Sequence, residues 1–227
     1  MTFIPTVKKE NLVAFYPFSE GSGSTVYDYS GEGNDGTNSG VDYIKVSDGG
    51  YGADYGGGSD ATSLPTAVKW DVTKSFTVAF WMNPDSTGTN RNICGTHVAN
   101  PVANFGMAYR DTDDLQLTIA SSGTYNISTN IGVTVPMSKW TFVVVVGTID
   151  GSNNLTSVDV YVDNVLYEPA MNTTNPIQWN DGYVFKIGDN AQGSWTGFDG
   201  KIKNFCIFET GFTAEEVKTL YKQTYIQ

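Results

Sequence analysis

The 227-residue chain has a single histidine and two cysteines. A Ser–His or Cys–His nucleophilic system would depend entirely on His97, in the loop-like GTHVANP, and one His with two distant Cys offers no zinc-ligand spacing. Cys94 and Cys206 cannot make a disulfide framework, and two unpaired thiols are the simpler reading. Positive charge is scarce too. Thirteen Lys and Arg against 24 Asp and Glu leave a formal charge of −11, which repels nucleic acid and anionic membranes and favours neutral or cationic partners. No apolar run is long enough to span a bilayer, so membrane insertion is not expected. The opening MTFIPTVKKENLVAF lacks the charged start and apolar core of a secretory signal.

What the chain has is the vocabulary of strands. Its 25 glycines sit in short loops between β-branched and aromatic runs, and 40% of its residues are hydrophobic, enough for one sizeable core. Apolar or period-two runs predict strands at 12–18, 75–84, 105–110, 115–120, 139–150, 156–163, 164–169, 183–189 and 200–208. Asp163-Asn164 joins two of them as a primed hairpin turn. The run 142–146 is apolar at every position, as in a strand covered on both faces. One helix is expected, at the C-terminus, where Thr213 and Glu216 form a capping box and Val217, Leu220 and Tyr221 an apolar face. The expected fold is all-β: a two-sheet antiparallel β-sandwich with a short C-terminal helix, residues 11–227 forming one domain behind an N-terminal arm, 1–10. An ordered arm would hint at packing against neighbours.

Paired carboxylates for glycoside hydrolysis must share one face of a strand. Asp111 and Asp113 lie in a turn, Asp163 in the hairpin turn opposite Asp159, and Glu215 and Glu216 in the first turn of the helix, so no pair reads as catalytic. Calcium chemistry fits better. YDYSGEGNDGT (27–37) offers Asp28, Ser30, Glu32, Asn34 and Asp35 among three glycines, though not at EF-hand spacing. A glycine-rich turn with Asx-type caps explains most of the same residues. Trp179 and Trp195, in polar loops, are the candidate platforms for a sugar ring, against the plainer role of capping the core. Trp70, Trp81 and Trp140 read as core or sheet face.

NLVAFYPFSEGSGSTVYDYSGEGNDGT (11–37) resembles the opening of LamG-like jelly-roll domains of the concanavalin A-like lectin and glucanase superfamily. ADYGGGSDATSLP, SFTVAFWMNP, VDVYVDNVLY and FDGKIKNFCIFETGFTAEEVKTLY resemble its later landmarks in order, so the likeness covers nearly the whole chain. Two landmarks depart from the pattern: DYGGGSDA alters one F-D-G phrase, and Asn164 replaces the second hairpin glycine. The resemblance implies a concanavalin A-like jelly roll, a structural calcium held by Asp28, Asn34 and Asp199, and a non-catalytic lectin-like binding or adhesion role toward a glycan or surface polymer. The alternative is a structural component of a virus or phage particle, as a capsid decoration or fibre protein among other virion proteins. Either role places the chain outside the cell or on a virion surface.

Overall fold

The computed structural model describes residues 4–47, 50–66, 68, 70–88, 91–96, 104–121, 124–178, 184–189 and 196–225. In chain order its strands are β1 (Leu12–Tyr16), β2 (Thr25–Val26), β3 (Gly36–Ser39), β4 (Asp42–Lys45), β5 (Tyr51–Gly56), β6 (Ala61–Ser63), β7 (Phe76–Pro84), β8 (Arg91–Gly95) and β9 (Asn104–Tyr109). They continue as β10 (Leu115–Ser121), β11 (Thr124–Asn130), β12 (Thr141–Ile149), β13 (Leu155–Val162), β14 (Val165–Tyr167), β15 (Lys186–Ile187), β16 (Thr196–Gly197) and β17 (Asp199–Phe208), followed by the helix α1 (Ala214–Thr224). The first sheet runs β14-β13-β12-β7-β17-β5-β4, with β1 added against β17. The second runs β11-β10-β9-β8-β15-β6-β3-β2, with β16 beside β8. This is the expected sandwich. The short strands β2 to β6 escape the sequence reading, because GTNS and YGADYG take their extended form from partners rather than from propensity.

Two apolar layers explain the patterning. The larger lies between the sheets and includes Phe80, Val143, Val145, Met107, Leu117, Ile119 and Phe205. The smaller covers the outer face of the first sheet, where Trp81, Phe142, Val144, Tyr161 and Phe208 meet Val217 and Leu220 of α1. Successive residues of β12 point alternately into one layer and the other, which is why its run is apolar throughout. The capping box forms: the Glu216 N–H donates to Thr213 Oγ1, and Glu216 Oε2 accepts from the Thr213 N–H at 2.9 Å. The arm packs on this same helix. The Thr6 and Val7 N–H groups donate to Gln223 Oε1, Lys8 pairs with Glu216 at 3.1 Å, and Ile4 and Val7 join the outer layer.

Asp163 and Asn164 have φ of 47° and 66°, the positive values a primed turn requires, and Asp163 Oδ1 accepts from the Phe142 N–H. Cys94 lies in the layer between the sheets and Cys206 in the outer layer, so both thiols are free and buried, and burial pushes both up. Trp70 and Trp81 are core, as expected, and Trp140 packs against the outer layer.

A polar relay also ties the sheets together. Tyr55 and Thr62 share a hydrogen bond, Thr62 donates to Asn38 Oδ1, Asn38 Nδ2 donates to the Tyr43 hydroxyl, and Tyr43 bonds Glu20. Burial, the largest cause, raises the Glu20 carboxyl above its ordinary 4.5, against the lowering pull of the Tyr27 N–H and Tyr43. A carboxyl raised by folding contributes stability that is complete below pH 4.5 and lost as pH rises through the folded value. Glu20→Gln is therefore expected to raise Tm at pH 7, by about 2 °C after solvent screening, and to lose that advantage near pH 4. Thermal melts of both proteins across pH 4–8 check it, and equal melting at every pH would refute it.

Candidate functional site

The loop 27–37 closes on its own carboxylates. Asp28 Oδ1 accepts from the backbone N–H of Phe15 and of Ser30, both at 2.9 Å. Its Oδ2 accepts from the Ser30 hydroxyl at 2.7 Å and the Asn34 N–H at 3.0 Å. Asp35 Oδ1 accepts from the Asp28 N–H, Asn34 Nδ2 donates to the Val13 carbonyl, and the Tyr16 hydroxyl donates to the Asn34 carbonyl. An ionised carboxylate has about four acceptor positions, and here four donors fill them. Those oxygens do not fit a calcium ion, which would have to displace N–H groups that have no other partner. The acids of the adjoining cleft give no substitute: Glu209 pairs with Lys74 at 3.0 Å, and no group of three metal-ligating side chains occurs among the described residues.

Asp28 and Asn34 meet as expected, but Asp199 is not with them. Strand β17 splits one edge between two partners: Asp199 to Ile202 pair with β5, and Phe205 to Phe208 pair with β1. Phe15, whose N–H holds Asp28, pairs with Cys206, seven residues along β17 from Asp199. At ~3.3 Å per residue the two acids stand roughly 20 Å apart, too far to share an ion. Asp199 Oδ2 instead accepts from the Ser86 hydroxyl, which also accepts from Arg91 Nη2 at 3.1 Å. A guanidinium supplies the positive charge beside the closing acid. Trp179, Trp195 and His97 lie outside the described residues.

The outer face of the second sheet holds residues that the sequence reading passed over. Ile93, Met107, Leu117, Ile119 and Ile187 point between the sheets, so their neighbours Asn92, Ala108, Gln116, Thr118 and Lys186 take the opposite face. Asn92 sits beside Ala108 on β9 and, on the other edge of β8, beside Gly197 of β16. The Gly188 N–H bonds the Ile93 carbonyl at 2.7 Å, and the Phe198 N–H is shared between the carbonyls of Asn92 and Gly188, so β16 takes the place of β15 beside Asn92. Gly188 makes the turn possible: its φ is 87°, and a Cβ there would lie 2.1 Å from the Tyr55 ring. Asn92 and Asp189 are 3% and 5% exposed, yet Asn92 Nδ2 and Asp189 Oδ1 find no hydrogen-bond partner. Lys186 Nζ lies 3.6 Å from Asp189 Oδ2.

The Laminin_G_3 family, described as the concanavalin A-like lectin/glucanases superfamily, matches residues 56–218. The chain belongs to this superfamily. No curated protein matches it in sequence. Among solved structures, domain 4 of a GH43 extracellular arabinanase from Geobacillus stearothermophilus, in complex with arabinotriose, superposes with a TM-score of 0.72 at 20% identity, covering 92% of this chain and 98% of that one. The binding domain of Paraclostridial Mosquitocidal Protein 1 gives 0.70 at 12% identity, covering 94% of this chain and 52% of that one. A Trypanosoma rangeli sialidase in complex with sialic acid gives 0.68 at 17% identity, covering 97% and 35%. The chain thus spans about half and about a third of the last two. At these identities the likeness is one of fold. The superfamily's jelly roll accounts for both sheets here, and no described helix is long and apolar enough to cross a membrane.

Proposed function

We propose that the chain is a non-catalytic carbohydrate-binding module whose ligand lies on the outer face of the second sheet. The observation that carries this reading is the asymmetry of the two faces. The arm and α1 seal the first sheet's outer face with an apolar layer, whereas no described helix crosses the second, whose part-exposed polar residues include Gln116 and Lys186. Polar side chains arrayed on a rigid sheet are what orient a sugar's hydroxyls. The arabinotriose held by the bacterial neighbour supports the same ligand class.

Four of the six acids considered for catalysis have structural duties. Asp163 holds the Phe142 N–H, Asp113 accepts from the Tyr109 hydroxyl, Glu216 caps α1, and Glu215 pairs with Lys218. No cation is invoked at Asp28, whose carboxylate oxygens are already engaged. Glycan binding also suits a place outside a cell or on a particle surface.

Calorimetric titration against arabinotriose, together with an array of neutral and acidic glycans, tests the proposal. Binding with Kd at or below about 1 mM and no release of reducing sugar is the expected outcome. Silence across the whole array, or turnover of any bound glycan, would sink it.

A further inference from the structure

We propose that Trp140, Asp42 and Asp54 form a second ligand site, on the first sheet, for a sugar that carries a free amine. The site is separate from the face assigned above and takes from the module reading only the class of ligand. The apolar layer under α1 ends along Ile44, Val46 and Trp140. Ala53 and Ile202 point between the sheets, so Asp54 of β5 and Lys201 of β17 take the outer face, and Asp42, two residues before the outward Ile44 on β4, joins them. Register sets the three in one row, Asp42 opposite Asp54 and Asp54 opposite Lys201. Trp140 lies over the same end of the sheet: a Cβ on Gly52, two residues before Asp54, would be 3.7 Å from its Cη2. Asp42 is exposed, and Asp54, Lys201 and Trp140 are partly so, which leaves the row open to a ligand.

The charges of this row are out of balance. Like charges directly opposite one another on neighbouring strands repel, and the Cβ atoms of such a pair stand about 5 Å apart. Lys201 does not offset the pair, because its ammonium is held by Asp85. Burial, and then the carboxylates of Asp85, Asp42 and Asp199, hold the Asp54 carboxyl above its ordinary value against the pull of Lys201. A cation between Asp42 and Asp54 removes that repulsion. A bare metal ion fits poorly, since no group of three metal-ligating side chains occurs among the described residues and an indole ring supplies no oxygen. An organic ammonium fits: its three donors can bridge two carboxylates, and the face of an indole attracts its charge. A sugar ring bearing that ammonium also lays an apolar face on Trp140, which a flexible alkyl chain covers less fully. The site binds by charge, hydrogen bonds and stacking, and moves no proton.

The test titrates wild type, Asp54→Asn and Trp140→Phe at pH 6 with a glucosamine trisaccharide, its N-acetylated counterpart, arabinotriose and trilysine, by calorimetry, with Tm measured for each protein. Wild type is expected to bind the glucosamine trisaccharide with Kd at or below about 1 mM, and the acetylated form at least about tenfold more weakly, because acetylation removes the charge and keeps the ring. Asp54→Asn should weaken the amine sugar about ten- to a hundredfold, the loss of one charge-assisted hydrogen bond, while keeping Tm within a few degrees. The Trp140 indole N–H resonance, identified by its absence in Trp140→Phe, should shift on adding the amine sugar. Unchanged affinity in Asp54→Asn would overturn the site. Acetylated sugar binding as tightly as the free amine would overturn the ammonium assignment, and trilysine binding as tightly as the amine sugar would overturn the sugar. A wild type that binds arabinotriose but not the amine sugar removes this site and leaves the module reading intact. One that binds the amine sugar alone upholds the site and removes the second-sheet assignment, and silence toward all four removes both.

Discussion

Asp28→Ala is expected to cost about 3–4 kcal/mol of unfolding free energy, read from urea denaturation at pH 7. The substitution removes four hydrogen bonds to one carboxylate and leaves the N–H groups of Phe15, Ser30 and Asn34 without acceptors, the first of them on a fully buried residue of β1. Because β1 pairs only with β17 in its sheet, freeing the loop also loosens the strand that ties the start of the chain to its end. Asp28→Asn should cost nearly as much, since its amide nitrogen turns an acceptor into a donor facing other donors. The same geometry predicts that chelator leaves the wild-type Tm unchanged within about 1 °C and that millimolar calcium adds nothing, because stabilisation by linkage requires a bound ligand. A chelator-induced fall of several degrees, abolished by Asp28→Ala, would show that an ion and not the backbone amides occupies that carboxylate.

The loop illustrates what was legible in the sequence and what was not. Asp28, Asn34 and the glycines between them lie within a few residues of one another, so composition alone marks a turn closed by side chains, and the structure makes it one. The choice between amide and cation was not legible, because the deciding donor, the Phe15 N–H, is freed by a strand-pairing pattern thirteen residues away. Asp199 fails for a related reason. A shared motif names the residue, but its distance from Asp28 depends on β17 dividing its edge between β5 and β1, and that register is a long-range property. By contrast the hairpin at Asp163-Asn164, the capping box of α1 and the two-faced β12 are set by neighbours in sequence, and each forms as read.

Trp81→Ala should produce the other large effect, a loss of about 3–5 kcal/mol and a fall in Tm of roughly 10 °C or more. Trp81 is 2% exposed at the centre of the outer layer, its ring 5.1 Å from that of Phe142 and 5.2 Å from that of Tyr221, and its indole N–H donates to Thr224 Oγ1 at 2.9 Å. Thr224 in turn donates to the Leu220 carbonyl, so one side chain anchors the last turn of α1 both by packing and by a hydrogen bond. Truncation leaves a cavity the rigid sheet cannot collapse to fill, and α1 keeps Val217, Leu220 and Tyr221 as its remaining apolar contacts. Trp81→Phe should recover part of the loss, keeping the ring but not the bond to Thr224. The functional corollary separates the two faces. If the first sheet's outer face is a structural seal and the second sheet's is the ligand face, Trp81→Ala will take up a hydrophobic dye as α1 loosens, yet bind a neutral trisaccharide with wild-type affinity well below its own Tm. Loss of that affinity in a variant still folded by circular dichroism would place the ligand under α1 instead, and the assignment of the second sheet's outer face would fall with it.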